Sequence, residues 1–258
     1  MILALDVGNT NIVIGCLDDE KIYFVGRLAT DRSRTDDEYA ISFKNLMELY
    51  GIDPCRITGS IISSVVPPLI HILERAVEKS VGRTPLVVGP GLKTGLNIKI
   101  DNPAQLGSDL VVDAVAAIHQ YKTPLIIFDM GTATTVSVID KNKNYLGGMI
   151  LPGVKVSQEA LTSRTSQLQS ISLEPPKRVI GSNTIDCMKS GAIYGNAAAL
   201  DGIIDRVEEE LGEKATVIAT GGLSKSIVPY CKRDIVVDDD LLLKGLRLIY
   251  QKNTVESQ

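Results

Sequence analysis

One short pattern occurs twice in the chain, and it constrains the fold more than any other feature of the sequence. The copies are Asp6-Val7-Gly8-Asn9-Thr10 and Asp129-Met130-Gly131-Thr132-Ala133. An apolar run precedes each copy, and a second run that favours β-structure follows it. Each copy therefore predicts a strand, a tight turn and a second strand, with an acidic residue at the end of the first strand.

The residues of these turns suit an anion together with a cation. Glycine lets backbone N–H groups approach an anion, and a threonine hydroxyl adds a hydrogen-bond donor. An aspartate repels phosphate, so we expect it to hold a cation that binds phosphate. Two such turns predict a clamp for a nucleotide polyphosphate and its metal. The alternative is a pair of ordinary hairpin turns, since Asp and Gly are common turn residues, but the duplication favours the phosphate-binding interpretation.

Composition excludes several classes of function. The 258 residues suffice for one large domain or two half-sized ones. A net charge of −4, three Phe and no Trp argue against a surface for nucleic acid or anionic membrane. The sequence lacks a signal-peptide pattern and any run of about 20 apolar residues, so we expect a cytoplasmic protein. Four cysteines without a C-x-x-C pair predict buried, reduced thiols.

The order of predicted elements repeats along the chain. Three strands open each half, near 1–6, 11–17 and 21–30 in the first and near 124–129, 133–140 and 145–151 in the second. Helices alternate with further strands after both openings; the first begins at the capping box Thr35-Asp36-Asp37-Glu38, and a long helical segment is expected over 186–211. Thr220-Gly221-Gly222-Leu223 predicts a turn after a strand near 215–219, and a helix over 239–251 closes the chain. This repetition predicts an internal duplication. The segment 89–123 between the halves belongs to neither copy.

Duplicated in this way, the pattern resembles the phosphate-binding hairpins of the acetate kinase, sugar kinase, Hsp70-type chaperone and actin superfamily. The resemblance implies an α/β fold of duplicated RNase H-like (actin-like ATPase) domains, each a mixed five-stranded sheet flanked by helices. The expected domains are residues 1–122, which include an acceptor-site segment at 89–122, and residues 123–258.

Five ordered motifs make the resemblance more specific. They are D-V-G-N-T-N-x-x-x-G from Asp6, D-N-P-x-x-x-G-x-D from Asp101, D-M-G-T-A-T-T from Asp129, G-G-x-I-x-P-G from Gly147 and S-N-T-x-x-x-x-x-S-G-x-x-x-G from Ser182. Together they resemble the type III pantothenate kinases over nearly the whole chain. The resemblance implies ATP-dependent phosphorylation of pantothenate to 4'-phosphopantothenate, the first step of coenzyme A synthesis. It also implies a homodimer that requires Mg²⁺ and a monovalent cation, K⁺ or NH₄⁺.

The same resemblance implies roles for individual residues. Asp6 would bind Mg²⁺, Asp129 would bind K⁺ or NH₄⁺, and Asp109 would be the catalytic base. The implied ATP contacts are Asp6, Val7, Gly8, Asn9, Thr10, Asn11, Ile12, Val13, Thr132, Gly221 and Gly222. The implied pantothenate contacts are Gly107, Ser108, Asp109, Leu110 and Thr184.

Some of these residues have simpler interpretations. Asp109 at a helix start complements the helix dipole, and Thr184 could cap the helix that follows it. Leu110 and Ile100 stand where many family members have Arg and Tyr, which removes contacts to the acceptor. The cations that could then meet the pantothenate carboxylate are Arg27, Arg34 and Lys155.

Two other functions stay open at this stage. A related kinase for another small alcohol or for polyphosphate would keep the nucleotide motifs but leave the D-N-P-x-x-x-G-x-D segment unexplained. A non-catalytic nucleotide-binding regulator would fit the replacements at Leu110 and Ile100. Such a regulator has no need for a base, and the retained Asp6, Asp109 and Asp129 therefore argue against it.

Overall fold

The structure, a computed structural model, describes residues 1–254, and its strands and helices follow the predicted order. The strands are β1 Ile2–Val7, β2 Asn11–Leu17, β3 Ile22–Ala29, β4 Gly59–Ser64, β5 Leu86–Val87, β6 Asn97–Ile98, β7 Leu125–Met130, β8 Ala133–Ile139, β9 Asn144–Pro152, β10 Thr216–Thr220 and β11 Val236–Val237. The helices are α1 Asp36–Leu49, α2 Ile70–Val81, α3 Ser108–Gln120, α4 Val154–Arg164, α5 Thr184–Ser190, α6 Asn196–Leu211, α7 Ser224–Ile227 and α8 Leu241–Thr254.

The chain divides into two compact units, each with one copy of the hairpin. The first consists of Met1–Gly95, Asn102–Ala116 and helix α8, and the second of Leu96–Asp101 and Ala117–Asp240. A single boundary after residue 122 was expected. In the structure the chain instead passes between the units four times, after Gly95, after Asp101, within α3 and before α8. Residues 255–258, the end of the second expected domain, lie outside the described residues.

Both sheets have the same strand order, which is the structural signature of the duplication. It is β3-β2-β1-β4-β5 in the first unit and β9-β8-β7-β10-β11 in the second. In each unit the first strand is antiparallel to the second and parallel to the strand on its other side. The predicted fold of duplicated mixed sheets is confirmed. The second sheet has a sixth strand, because β6 from the connecting segment pairs with the start of β9.

Helix α1 begins at the capping box that the sequence predicts. The Thr35 hydroxyl accepts a bond from Glu38 N at 3.3 Å, and the Glu38 carboxylate accepts one from Thr35 N at 2.7 Å. These bonds satisfy N–H groups that have no partner within the helix. Four apolar side chains on one face of α1 are buried in the core of the first unit, namely Tyr39, Ala40, Phe43 and Met47.

Helix α8 belongs to the first unit because of its apolar face. Leu243, Leu246 and Ile249 are buried in one cluster with residues of β1 and β4. Glycines allow the close approach, since a Cβ at Gly59 would clash with the Tyr250 ring and one at Gly245 with a backbone carbonyl of α3. The periodicity that predicts the helix cannot say which sheet the helix covers.

A long helical segment was expected over 186–211, and the structure interrupts it. A π-helical turn, Gly191–Gly195, separates α5 from α6. Gly212 ends α6 with a left-handed φ of 72°, which is a usual helix stop. Hydrophobic spacing does not distinguish a π-turn from a continuous α-helix.

Two further expectations concern cysteines and membranes. Cys16 is buried, but Cys55 and Cys187 are exposed, so the prediction of buried thiols is wrong for these two. All four cysteines are free, as expected. Burial raises the pKa of the Cys16 thiol to about 11. Across residues 1–254, no helix has the length and apolar character needed to cross a membrane.

Candidate active site

The first hairpin presents an exposed loop between two buried strand ends. Asp6 pairs with Val13, and Val7 pairs with Ile12, so that Gly8–Asn11 form the loop. Gly8 N donates to Asn11 O at 3.0 Å and closes the turn. The side chains of Val7 and Ile12 are fully buried. These two residues therefore anchor the hairpin, and only their backbone groups could reach a nucleotide.

The end of β3 braces this loop. Thr30 N donates to Thr10 O at 3.0 Å, and the Thr30 hydroxyl donates to Gly8 O at 2.7 Å. The carbonyl groups of Gly8 and Thr10 therefore point toward Thr30. In a trans peptide the N–H points away from the carbonyl, so the N–H groups of Asn9 and Asn11 are directed away from β3. Such a loop exposes the positive ends of its peptide dipoles, as an anion site requires.

The second hairpin is one residue shorter than the first. Asp129 pairs with Thr135 and Met130 with Thr134, which leaves Gly131, Thr132 and Ala133 in the loop. Gly131 N donates to Ala133 O at 3.0 Å. Gly153 lies directly against this loop, because a Cβ at Gly153 would clash with the carbonyl oxygen of Thr132. The loop is thus tightly enclosed by the backbone that connects β9 to α4.

The predicted Gly221-Gly222 turn lies against the second hairpin. Gly221 has a φ of 86°, a conformation that favours glycine. A Cβ at this position would lie 2.5 Å from Asp129 Oδ1 and 2.7 Å from Met130 N. Leu223 N donates to Met130 O at 3.3 Å. Within the second unit, the structure therefore brings together Asp129 and the turn that follows β10.

The carboxyl group of Asp109 is held at the start of α3. Leu110 N donates to Asp109 Oδ1 at 2.9 Å, and a Cβ on Gly107 would clash with the same oxygen. Burial is the largest influence on the acid and raises the pKa of Asp109 above its ordinary value, while the N–H groups of Leu110 and Asp109 itself act in the opposite direction. A carboxylate with a raised pKa is a better proton acceptor for an alcohol.

Ser108 connects this helix start to the strand beside Asp6. The Ser108 hydroxyl is hydrogen-bonded to Ser63 and Ser64 at the end of β4. Ser63 is the register partner of Asp6 in the parallel pair of β1 and β4. The first unit therefore brings the predicted base and the predicted Mg²⁺ carboxylate onto directly linked elements.

Thr184 belongs to the second unit and is exposed as the first residue of α5. Asn183 Oδ1 accepts a bond from Asp186 N at 2.9 Å and is the residue that caps this helix. The simpler interpretation, in which Thr184 caps α5, is therefore wrong. The other predicted pantothenate residues, Gly107–Leu110, lie in the first unit.

The acidic residues of the described chain do not form a metal cage. Within residues 1–254, no group of three or more His, Cys, Asp or Glu side chains could hold a metal ion. A single carboxylate such as Asp6 suits Mg²⁺, which usually keeps several waters and takes further oxygens from a substrate phosphate. The carboxylate of Asp129, enclosed by the backbone at Gly221, is a fitting oxygen donor for a monovalent cation.

Sequence reasoning missed the residues that hold the site in place. Thr30 and Ser63 stand at strand ends, and their hydroxyls act on residues 22 and 45 positions away along the chain. Gly153 is part of a recognised motif, but its contact with the second hairpin depends on the pairing of β9 with β8. The available signal was a polar residue at the end of a buried strand, as in the Ser63-Ser64 pair that ends β4.

Comparison with known proteins identifies the family. The type III pantothenate kinase family matches residues 2–206. A type III pantothenate kinase of Halalkalibacterium halodurans is 48% identical over 253 residues, which cover 98% of this chain and 100% of that protein.

Solved structures share the fold at low sequence identity. A protein from Campylobacter jejuni, described as a Baf family transcriptional activator, has a TM-score of 0.60 and 19% identity, with 98% of both chains covered. A ROK hexokinase from Thermus thermophilus has a TM-score of 0.52 and 11% identity, with 99% of this chain and 98% of that chain covered. These similarities confirm the predicted actin-like ATPase fold.

The family match covers more than half of the chain, and the identity to the bacterial kinase extends over nearly its full length. The order of the five motifs and the duplicated hairpins agree with this result. The chain therefore belongs to the type III pantothenate kinase family, the enzymes that phosphorylate pantothenate in coenzyme A biosynthesis.

Proposed function

We propose that Asp109 is the general base in the transfer of the γ-phosphoryl group of ATP to the primary hydroxyl of pantothenate. The observation that carries this role is the geometry of its carboxylate, which is fixed by Leu110 N and by the space left at Gly107. Burial raises the pKa of Asp109, which suits a group that takes a proton from an alcohol. The Ser108 linkage to the strand beside Asp6 gives the base a fixed place.

The hairpin loops are the proposed phosphate contacts. In the first unit, the exposed residues Asn9, Thr10 and Asn11 offer amide groups and polar side chains. In the second unit, Thr132 and the Gly221-Gly222 turn are the proposed contacts. Phosphoryl transfer depends mainly on positioning and on neutralising charge, which rigid loops of N–H donors provide.

Two cations complete the proposed charge balance. Mg²⁺ would be held through Asp6, directly or through water, and K⁺ or NH₄⁺ through Asp129. When bound, these ions would neutralise the negative charge of the ATP phosphates. Asp6 lies at the end of β1, and the Asp129 carboxylate lies close to the backbone of Gly221, so each would offer its oxygens from a fixed position.

Pantothenate is the proposed acceptor, in contact with Gly107–Leu110 and with Thr184. The hydroxyl of Ser108 is already bonded to Ser63 and Ser64. We therefore assign Ser108 a backbone contact with the substrate. Leu110 adds an apolar surface and no charge, so the carboxylate of pantothenate must meet a cation from another residue.

We also propose that the enzyme is a homodimer. Support comes from β9, which pairs with β6 only at Asn144 and Tyr145 among the described residues. Beyond these positions β9 carries exposed Leu146, Met149 and Ile150. An exposed apolar edge strand is a template for association, and a second copy of the chain would cover it.

An assay of the purified chain tests the proposed activity. The chain is incubated with ATP, Mg²⁺ and K⁺ and with a panel of small alcohols that includes pantothenate, and the phosphate ester is identified by mass spectrometry. We expect pantothenate to be phosphorylated in preference to the other alcohols. ATP binding without turnover on any alcohol would favour the regulator, and preference for a different alcohol would favour the alternative kinase.

A further inference from the structure

A group of serine hydroxyls joins the end of β4 to the start of α3. Ser63 Oγ donates to Ser108 Oγ at 3.0 Å, and Ser64 N donates to the same oxygen at 3.1 Å. The Ser108 hydroxyl in turn donates to Ser64 O at 3.0 Å. A hydroxyl group has one donor and two acceptor sites, so these three bonds use the whole capacity of Ser108. The Ser108 hydroxyl therefore links the start of α3 to the end of β4.

This link stands between two functional carboxylates. Ser63 is fully buried and is the register partner of Asp6, on a strand about 4.8 Å away. Register partners on adjacent strands point to the same face of a sheet. At the other end of the link, Ser108 immediately precedes Asp109 in the first turn of α3. The serine pair thus connects β4, the strand beside Asp6, directly to the first turn of the Asp109 helix.

The approach to α3 offers the helix start little other support. Residues 101–105 are exposed, and they contain a single 3₁₀ turn, Pro103–Gln105. Asp109 also needs an exact backbone position, because its carboxylate is confined by Gly107 and by Leu110 N. A small displacement of the first turn would therefore move the carboxylate directly.

We propose that Ser63 and Ser108 are positioning residues that fix the Asp109 carboxylate relative to the Asp6 strand. The inference rests on the proposed role of Asp109 as the base. Removal of the Ser108 hydroxyl leaves Ser64 N, Ser64 O and the Ser63 hydroxyl without the partner they have in the structure. The first turn of α3 is then released from β4. Misplacement of a reacting group by about 1 Å can lower a rate by about 10²-fold.

Four single variants test the proposal by steady-state kinetics. Ser108→Ala should lower kcat at least about tenfold, and Ser63→Ala, which removes one of the three bonds, about threefold. The KM for ATP should stay within about twofold in both, since the hairpin is unchanged. Ser108→Thr keeps the hydroxyl and should retain most of kcat.

Ser60→Ala is the matched control. Ser60 lies on the same strand, is 1% exposed, and has a hydroxyl without a hydrogen-bond partner in the structure. Its replacement should leave kcat unchanged. An equal loss of kcat in Ser60→Ala and Ser108→Ala, or an unchanged kcat in Ser108→Ala, would overturn the proposal. If thermal unfolding shows that Ser108→Ala does not fold, the kcat of Ser63→Ala tests the proposal instead, because this variant leaves both bonds between Ser108 and Ser64 in place. An unchanged kcat in Ser63→Ala would then overturn the proposal.

A double variant separates this inference from the role of Asp109. Ser108→Ala combined with Asp109→Asn should be no slower than Asp109→Asn alone, because the serine acts through the carboxylate. A further loss in the double variant would show a general structural role and refute the positioning proposal. Parental turnover in Asp109→Asn would refute the base itself. Low turnover in Asp109→Asn with normal turnover in Ser108→Ala and Ser63→Ala would refute the serine proposal alone.

Discussion

At the scale of single residues, Asp109 combines a catalytic requirement with a cost in stability. Its carboxylate is held at the start of α3 in surroundings that raise its pKa, with burial as the main cause. An ionised carboxylate in such a place destabilises the folded state relative to the unfolded chain, where it is fully hydrated. The base is therefore expected to be less favourable for folding than a neutral side chain of the same shape.

This expectation gives a pH dependence with a definite sign. Well below the unfolded pKa of about 3.9, Asp109 is protonated in both states and the cost vanishes. As the pH rises through the window up to the raised folded pKa, the folded state binds more protons than the unfolded state, so the free energy of unfolding falls. Asp109→Asn should therefore be more stable than the parent near neutral pH, with a gain that shrinks as the pH is lowered toward about 4. Urea unfolding of both proteins across this range measures the gain. A gain that grows on acidification would contradict the assigned pKa direction.

Gly221 links backbone conformation to the proposed monovalent-cation site. Gly221→Ala places a Cβ 2.5 Å from Asp129 Oδ1 and forces a side chain into a φ of 86°. The strain alone is worth about 1–2 kcal/mol. We expect this variant to lose stability and also to need more K⁺ for half-maximal activity, because the Asp129 carboxylate must move. Activity titrated with K⁺ against a Na⁺ background measures the second effect.

Gly212→Ala is the control for backbone strain. Gly212 also has a positive φ, 72°, but a Cβ there meets nothing within 4 Å. This variant should lose stability without any change in the K⁺ requirement. An unchanged K⁺ requirement in Gly221→Ala would argue against a cation at Asp129.

At the scale of elements, the two hairpins have similar proposed roles, but different contacts hold their loops in place. The first loop is one residue longer and is braced by hydrogen bonds from Thr30, while the second is enclosed by the backbone at Gly153 and Gly221. The first hairpin therefore depends on a side chain that can be changed without touching the backbone. This makes its contribution to nucleotide binding accessible to mutation.

Thr30→Val should weaken ATP binding by loosening the first loop. The change removes the hydroxyl that donates to Gly8 O at 2.7 Å but keeps the shape and the β-propensity of the residue. Loss of one such bond is worth about 1 kcal/mol, or about fivefold in the KM for ATP. Thr30→Ser retains the hydroxyl and should bind ATP nearly as well as the parent. Equal ATP KM values for Thr30→Val, Thr30→Ser and the parent would show that the brace does not act on the nucleotide.

The sequence predicted the local parts of these elements and not their long-range contacts. Continuous apolar runs located the strands that carry Asp6 and Asp129, and the Thr35 capping box located the start of α1, because each depends on neighbours along the chain. The two-residue strand β6 has no periodicity to detect, and its pairing depends on β9 almost 50 residues later. The contacts of Ser63 and Thr30 depend in the same way on the completed fold.

At the scale of the whole molecule, the duplication explains most of the architecture. The same strand order occurs in both units, and the added strand β6 and helix α8 distinguish the two copies. Beyond the short pairing with β6, the edge of β9 is open within residues 1–254. In an isolated chain this open edge has no evident function. Its exposed apolar side chains give the proposed homodimer a specific candidate surface.

Ile150→Glu should weaken this association. Ile150 is 79% exposed on β9, so a charge there costs the monomer little but would be buried and unpaired in a dimer that covers this edge. Light scattering should show the parent at twice the chain mass of 27.8 kDa and the variant shifted toward the monomer. Ile41→Glu on α1, where the residue is 59% exposed, is the control and should not change the mass. A parent that is monomeric and fully active would contradict the dimer, and a dimeric Ile150→Glu would exclude this edge from the interface.

The turnover of Asp109→Asn with pantothenate, measured beside its ATP affinity, tests the central claim most directly. The substitution keeps the shape and the hydrogen bonding of the helix start and removes only the ability to accept a proton. We predict a loss of about 10²–10⁴ in kcat, with an ATP dissociation constant close to that of the parent. Near-parental turnover in a folded Asp109→Asn enzyme would show that Asp109 is only a helix-start residue and that the proposed mechanism is wrong.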